Sequence, residues 1–238
     1  MIPMYRKCVR YVTDMGRPGP CVQAGARTFG RFEQDNRPSN GPEPIEWIVL
    51  DYDATNNRVL LVSLYGLHAM AYSNTKYGIT WKSSPIRDWL NGEFLDSAFT
   101  KSERECIVIT DVHNGKEQSY RRVMQGSEKT RDRLFLLSYA EANKYLNVTH
   151  HSKDRSNWNM VSRAAPTAYA IACGAQTSSM KSTSDGAASG NWWLRSPSSP
   201  DTQEYVRMDG AADDTRVNAT MMVRPALWLD LNALPLEN

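Results

Sequence analysis

The stretch that decides the fold is residues 191–231, NWWLRSPSSPDTQEYVRMDGAADDTRVNATMMVRPALWLDL, near the end of a chain of 238 residues. Two apolar, aromatic segments bracket it, 192–194 and 223–229, and nearly all residues between them are small, polar or charged. Aromatic anchors can hold a backbone in place while recognition occurs on the segment between them. The pattern therefore predicts a rigid frame that presents a surface to solvent. We expect the two apolar segments to lie in one antiparallel sheet, with Trp228 buried.

The composition is that of a globular protein, because 41% of the residues are hydrophobic and 10% are aromatic. A net charge of +2 without a basic face gives no reason to expect a nucleic-acid partner. No apolar run approaches the length of about 18 residues that a membrane-spanning helix needs. The first 20 residues lack the apolar core of a signal peptide. We therefore expect no membrane insertion and a cytoplasmic or particle-associated protein.

Local patterns divide the chain into a weakly structured extension, residues 1–26, and one domain, residues 27–234. Segments 45–51 and 58–63 predict a β-hairpin. Helices are predicted after Ser84, which precedes a proline at the first helical position, and after Ser138, which has capping-box spacing to Glu141. Asn91 and Gly92 predict the end of the first helix. Further predictions are a strand at 134–137, a short helix at 166–173, a loop at 176–190, and strands at 192–195, 204–208, 215–218 and 223–229. The fold class is α+β, with short helices, a small antiparallel sheet and long loops.

The four cysteines, Cys8, Cys21, Cys106 and Cys173, have no metal-binding spacing and predict reduced thiols. Cys173 is a candidate nucleophile if His150 or His151 supplies a base, but a small thiol on a short helix is the simpler interpretation. The two histidines are placed in an exposed loop. Asp209, Asp213 and Asp214 leave Ca²⁺ open as an alternative, although their spacing matches no calcium-loop motif. No metal or cofactor is predicted.

Two arginines and three tryptophans sit in the apolar segments. Arg195 and Arg224 are interpreted as structural ties that pair with a carboxylate or with backbone carbonyls. Trp192, Trp193 and Trp228 are interpreted as core residues, with a carbohydrate-stacking platform as the alternative.

An ordered set of motifs resembles an uncharacterised bacterial domain family that is common in gut Firmicutes and their phages. The motifs are TFGRFEQD, GPEPIEWIVLD, ITWKSSPIRDWLNGEFLDSAF, RLFLLSYAEANKY, PTAYA, NWWLRSP and VRPALWLDL. The end of the chain is similar, more distantly, to the C-type-lectin-like fold of formylglycine-generating enzymes and of the variable proteins that retroelements diversify. This resemblance implies a C-type-lectin-like domain. In those variable proteins a polar C-terminal segment forms the ligand-binding surface.

The resemblance implies a non-catalytic protein that binds a protein or glycan ligand through residues 196–222. The candidate contacts are Ser198, Asp201, Gln203, Glu204, Tyr205, Arg207, Asp209, Asp213, Thr215, Arg216 and Asn218. We expect most of seven of them to be exposed and several to converge on one face: Asp201, Glu204, Tyr205, Arg207, Asp213, Arg216 and Asn218. One alternative is a relative of the formylglycine-generating enzymes that acts through Cys173, although those enzymes use a pair of C-terminal cysteines. The other is a structural module of a phage particle or a cell-surface protein.

Overall fold

The computed structural model describes residues 29–75, 79–115, 118, 120, 129–150, 160–183 and 186–234. The extension predicted for residues 1–26 lies outside these ranges, as do Cys8, Cys21 and His151. Within them the fold is mixed α+β, with few short helices and several small sheets that are mainly antiparallel, as the sequence predicts.

Short helices occupy the first two thirds of the domain. The α-helices are α1 Pro85–Trp89, α2 Leu95–Ala98, α3 Lys101–Cys106, α4 Tyr139–Leu146 and α5 Ala168–Ala172, and short 3₁₀ turns lie at Pro38–Asn40, Trp81–Ser83 and Met160–Ser162. Ser84 caps α1 by accepting from the backbone N–H of Arg87, and Ser138 and Glu141 form the predicted capping box of α4. No helix in the described part of the chain is long and apolar enough to cross a membrane.

The first helix does not end at Asn91 and Gly92 as predicted. It continues through a π-helical turn, Leu90–Phe94, into α2. Leu90 and Phe94 are fully buried, so ending the helix at Asn91 would remove apolar surface from the core. The side-chain amide of Asn91 donates to the carbonyls of Arg87 and Leu134 and thereby ties the turn to a neighbouring segment.

The strands form two principal sheets and three small hairpins. They are β1 Arg31–Phe32, β2 Glu43–Pro44, β3 Trp47–Asp53, β4 Arg58–Ser63, β5 His68–Ala71, β6 Thr110–Val112, β7 Thr130–Asp132, β8 Thr177–Ser182, β9 Ala188–Gly190, β10 Trp192–Pro197, β11 Thr202–Val206, β12 Ala212–Arg216, β13 Thr220–Val223 and β14 Ala226–Asp230. The three-stranded sheet has the order β14-β4-β3, and it contains the predicted β3–β4 hairpin. The five-stranded sheet has the order β12-β11-β10-β13-β5. Buried apolar side chains from both sheets and from the helices belong to one core cluster.

The prediction that segments 192–194 and 223–229 share one antiparallel sheet is wrong. The pair β10–β13 is parallel, and β14 belongs to the other sheet. Arg224 and Pro225 carry the chain from one sheet to the other. Pro225 has no N–H for a ladder, and its carbonyl accepts from the N–H of Ser63. An apolar run therefore belongs to two sheets.

Other boundaries also differ from prediction. Segment 176–190, predicted as a loop, forms the β8–β9 hairpin, in which Thr177 pairs with Gly190. The strand predicted at 215–218 lies earlier, at β12. Phe135 makes only an isolated bridge to Ala226, so 134–137 is not a regular strand. Trp228 is half-buried, not buried, and the guanidinium of Arg58 lies 4.8 Å from its ring centre.

Candidate functional site

Two fully buried tryptophans anchor the strand from which the candidate surface extends. Trp192 and Trp193 each have 0% relative exposure. The indole N–H of Trp192 donates to the carbonyl of Ser162, and that of Trp193 donates to the carbonyl of Met70, both at 3.0 Å. The interpretation of these two indoles as core is confirmed, and neither offers a face for stacking a carbohydrate.

Arg195 is a structural tie, as predicted. Its guanidinium is buried and forms an ion pair with Glu141, and it also donates to the carbonyls of Leu136 and His113 and to the side-chain oxygen of Asn114. Burial alone raises the pKa of Glu141, but the charge and hydrogen bonds of Arg195 outweigh it and hold that pKa below its ordinary value. The result is a fixed link between β10 and α4.

Arg224 ties the crossing between the two sheets. Its Nε donates to the carbonyl of Ser63 at 2.9 Å, and its guanidinium lies 4.7 Å from the ring centre of Trp192. Burial lowers the pKa of Arg224 to about 9, so it remains charged at neutral pH. The cation–π contact holds the end of β13 against the start of β10, and the hydrogen bond to Ser63 ties it to the end of β4 in the other sheet.

The predicted contact residues differ widely in burial. The expectation that most of the seven named residues are exposed is wrong. Glu204 is buried, as are the further candidate contacts Ser198 and Gln203, and all three are at most 2% exposed. Arg216 and Asn218 are exposed, and the remaining predicted contacts, Asp201, Tyr205, Arg207, Asp209, Asp213 and Thr215, are half-buried. The segment is thus part scaffold and part surface.

Strand alternation explains why the predicted contacts do not all lie on one face of the sheet. Tyr205 pairs with Trp193 on one side and with Asp213 on the other, so these three residues share one face of the sheet. Glu204 pairs with Asp214 and lies on the opposite face. The hydroxyl of Ser198 donates to Asp214 at 2.9 Å.

The opposite face is covered by segments that are distant in sequence. Oε1 of Glu204 accepts from the backbone N–H of Tyr120 at 2.9 Å and lies 4.0 Å from Nε2 of His150. The rings of Tyr120 and His150 stack at 3.8 Å. His150 therefore does not lie in an exposed loop as predicted, because its side chain is only 15% exposed. This cover explains why a glutamate in a polar segment is buried.

Gln203 is buried for a different reason. The β10–β11 register shifts between Trp193 and Pro197, which is a local irregularity in the ladder. The side-chain amide of Gln203 donates to the carbonyl of Leu194 at 2.9 Å within that interval. Gln203 thus supplies a hydrogen bond to a buried carbonyl in the irregular part of the ladder.

A cleft lies on the Tyr205 face, at the end of β11. Its volume is about 340 Å³, and it opens to solvent. Its lining residues are Ser178, Asn191, Tyr205, Arg207, Met208 and Asp209. Tyr205, Arg207 and Asp209 are predicted contacts that the structure brings together. The ring of Tyr205 packs edge-on against Trp193, with 6.4 Å between ring centres.

Charged groups surround the tyrosine of the cleft. Arg207 contacts the carboxylates of Asp209 at 3.2 Å and Asp213 at 3.5 Å. Burial raises the pKa of Tyr205, Asp213 adds the next largest effect, and Arg207 opposes it. Asp209 and Asp214 raise that pKa further, so the carboxylates outweigh the guanidinium at this position.

Sequence reasoning missed three residues of the cleft, Ser178, Asn191 and Met208. Ser178 belongs to β8, whose sequence TSSMKS is rich in Ser and Thr, as loops often are. Asn191 stands immediately before the aromatic anchor, and its side-chain oxygen accepts from the N–H of Met208 at 2.9 Å. Of these three residues, only Asn191 has a signal in the sequence, because it is a polar residue placed directly before Trp192.

The surroundings of Cys173 do not resemble those of an activated nucleophile. The thiol is half-buried and shares a hydrogen bond with Tyr169, and the other charged groups acting on Tyr169 are Glu93 and Glu33. A reactive thiolate is normally stabilised by nearby cations. His150, one of the two proposed bases, lies against Tyr120 and Glu204.

The three aspartates considered for Ca²⁺ are not gathered around one point. Asp209 and Asp213 flank Arg207, whereas Asp214 accepts from Ser198. Within the described residues the one group of three carboxylate side chains whose ligand atoms lie within 4.8 Å of one another is Glu33, Asp35 and Glu43. Glu43 accepts from the backbone N–H groups of Gln34 and Asp35, so this group orders the β1–β2 loop.

Comparison with known proteins gives one match. A sequence model of a protein family, described as a domain of unknown function (DUF6273), matches residues 56–231. No significant match was found among curated proteins or among solved structures. The matched range contains every residue that lines the cleft.

Proposed function

The chain belongs to the DUF6273 family, and we propose that it is a non-catalytic ligand-binding protein whose binding site is the cleft beside Tyr205. In this proposal the domain is a C-type-lectin-like scaffold, and β11, β12 and the turns that follow them form its recognition surface. The cleft is the observation that carries the proposal. An open recess with a few convergent polar groups is the usual form of a small binding site.

The support beneath Tyr205 favours recognition. Its ring packs on the fully buried Trp193, while its own side chain is only half-buried. A tyrosine held in this way offers a large contact area at little entropic cost, and Tyr and Arg dominate the energetics of many interfaces. Tyr205 and Arg207 are therefore the expected energetic centre of the site.

Residues at the far end of β12 from the cleft, and in the turn after it, fit a surface that tolerates variation. Thr215, Arg216 and Asn218 are half-buried or exposed, so substitutions there change the surface more than the core. Gln203 and Glu204 belong to the scaffold, which makes the variable set smaller than residues 196–222. If a retroelement diversifies this surface, a reverse-transcriptase gene and a near-copy of the 3′ end should lie beside the coding region, and changes should avoid the codons of Gln203 and Glu204.

Binding should depend on Tyr205. Protein and glycan arrays probed with the full chain identify candidate ligands, and Tyr205→Ala should reduce those signals at least tenfold, as loss of a hot-spot residue does. Tyr52→Ala is the matched control, because Tyr52 is a half-buried tyrosine of the three-stranded sheet. An equal loss of array signal in Tyr205→Ala and Tyr52→Ala would show that the cleft is not the binding site. Blank arrays with the native chain would favour the structural-module alternative.

Substitutions in the surface part of residues 196–222 should reduce the free energy of unfolding less than a substitution in the scaffold part. The combined variant Arg207→Ala, Arg216→Ala and Asn218→Ala should cost about 0.5 kcal/mol or less per substitution in urea unfolding, as surface changes usually do. Gln203→Ala leaves the carbonyl of Leu194 without its buried donor and should cost about 1–3 kcal/mol. A larger loss for the triple variant than for Gln203→Ala would make the whole segment scaffold.

A further inference from the structure

The charged group at the cleft has one more negative than positive charge. Arg207 and Asp209 line the cleft, Asp213 lies beside it, and the two carboxylates contact the guanidinium at 3.2 and 3.5 Å. Each carboxylate also accepts one backbone N–H, from Ala211 and Asp214 respectively. Charge-assisted hydrogen bonds of this type are normally about 2.7–2.9 Å long, so both contacts are loose. The side chains of Asp209, Asp213 and Arg207 are 20%, 39% and 35% exposed, which leaves carboxylate oxygens accessible to a further cation.

The charged groups acting on Tyr205 also have a net negative effect. The hydroxyl of Tyr205 lies where Asp213, Asp209 and Asp214 together outweigh Arg207. A cation placed here is attracted by the negative charge of the carboxylates and, through a cation–π interaction, by the face of the aromatic ring. An anionic ligand would meet repulsion from the same groups.

Asn191 adds a hydrogen-bond donor to this acidic cleft. Its Oδ1 accepts from the N–H of Met208, and this contact fixes which end of the amide is oxygen. Its Nδ2 has no acceptor among the described residues. A ligand that fits the cleft therefore presents a carbonyl oxygen as well as a cation.

We propose that the cleft binds a lysine residue on the surface of a partner protein. The ammonium contacts Asp209 and Asp213, the alkyl stem packs against Tyr205 and Met208, and a main-chain carbonyl accepts from Asn191. Lysine combines these three features, since its stem packs on apolar surface while its ammonium remains polar. This assignment rests on the proposed function of the same cleft and specifies its partner.

Three blocked tripeptides test the assignment, Gly-Lys-Gly, the same peptide with Nε-acetyl-lysine, and Gly-Glu-Gly. Each is titrated into the full chain while the NMR signals of Tyr205 and Met208 are followed. The lysine peptide should shift both signals, and acetylation should weaken its binding at least tenfold because it removes the charge. Raising the salt concentration should weaken the lysine peptide and leave the acetylated one nearly unchanged. The glutamate peptide should not bind.

Protein variants provide an independent arm. Asp209→Asn with Asp213→Asn should weaken the lysine peptide at least tenfold. Asp111→Asn should not, since Asp111 is an exposed aspartate of β6 that also pairs with an arginine, Arg131. Equal binding of all three peptides, or no shift with the lysine peptide, overturns the lysine assignment. The array result for Tyr205→Ala decides the proposed function separately.

Discussion

Replacing Arg195 with methionine should destabilise the protein by about 3–5 kcal/mol, because it removes the donor from several buried acceptors and the partner from Glu141, whose side chain is 28% exposed. Arg195 is 2% exposed and holds Glu141 together with the carbonyls of Leu136 and His113. Methionine fills part of the space but supplies none of these hydrogen bonds. Urea unfolding of the native chain and the variant measures the loss.

Arg58→Met is the matched control for this measurement. Arg58 pairs with Asp53 and is 31% exposed, whereas Arg195 is 2% exposed, so solvent screens the Arg58 pair and the loss should be clearly smaller than that of Arg195→Met. Similar losses in the two variants would contradict the role of Arg195 as a buried tie.

The Arg195–Glu141 pair should also appear in the pH dependence of stability. The folded-state pKa of Glu141 is held below its unfolded value near 4.5. Its contribution is therefore fully present above that value and is lost as pH falls through the lower, folded pKa. In Arg195→Met this part of the acid-induced loss of stability should disappear.

Replacing Trp192 with alanine should cost about 3–5 kcal/mol, as expected for a large aromatic core residue. Trp192 has 0% exposure, donates to Ser162, and provides the ring over which Arg224 lies. Its removal would open a cavity and also leave the buried guanidinium without its aromatic partner. Thermal and urea unfolding should therefore show one of the largest effects in the domain.

Trp228→Ala is the corresponding control. Trp228 is half-buried and has only the Arg58 guanidinium over its ring, so its truncation should cost clearly less than that of Trp192. An equal loss of stability in Trp192→Ala and Trp228→Ala would contradict the assignment of Trp192 as the buried anchor of the frame.

Local signals predicted local structure well. The helix beginnings at Ser84 and Ser138 depend on a capping side chain and on residues within one turn of it, and both are confirmed. The β3–β4 hairpin likewise joins neighbours in sequence, with Asn57 in the left-handed conformation at its turn. These features need no information from distant parts of the chain.

Two errors involve partners that are far apart in sequence. Polar composition predicts exposure for Glu204, but its carboxylate accepts from the backbone N–H of Tyr120, 84 positions away. The apolar run 223–229 does not show that its two ends pair in different sheets, because hydrophobicity indicates burial without identifying the partner strand. The error at the β8–β9 hairpin, and with it at Ser178 of the cleft, is local, because the Ser- and Thr-rich sequence of β8 is typical of a loop.

The crossing at Arg224 and Pro225 has a consequence for biosynthesis. Strand β13 lies between β10 and β5, and β14 pairs with β4, so both sheets are completed by strands that are synthesised after the strands they join. A chain that stops before Thr220 lacks one strand of each sheet and exposes the apolar faces those strands cover. Such products should be recognised as misfolded and degraded, so only chains translated through β13 and β14 would display the cleft.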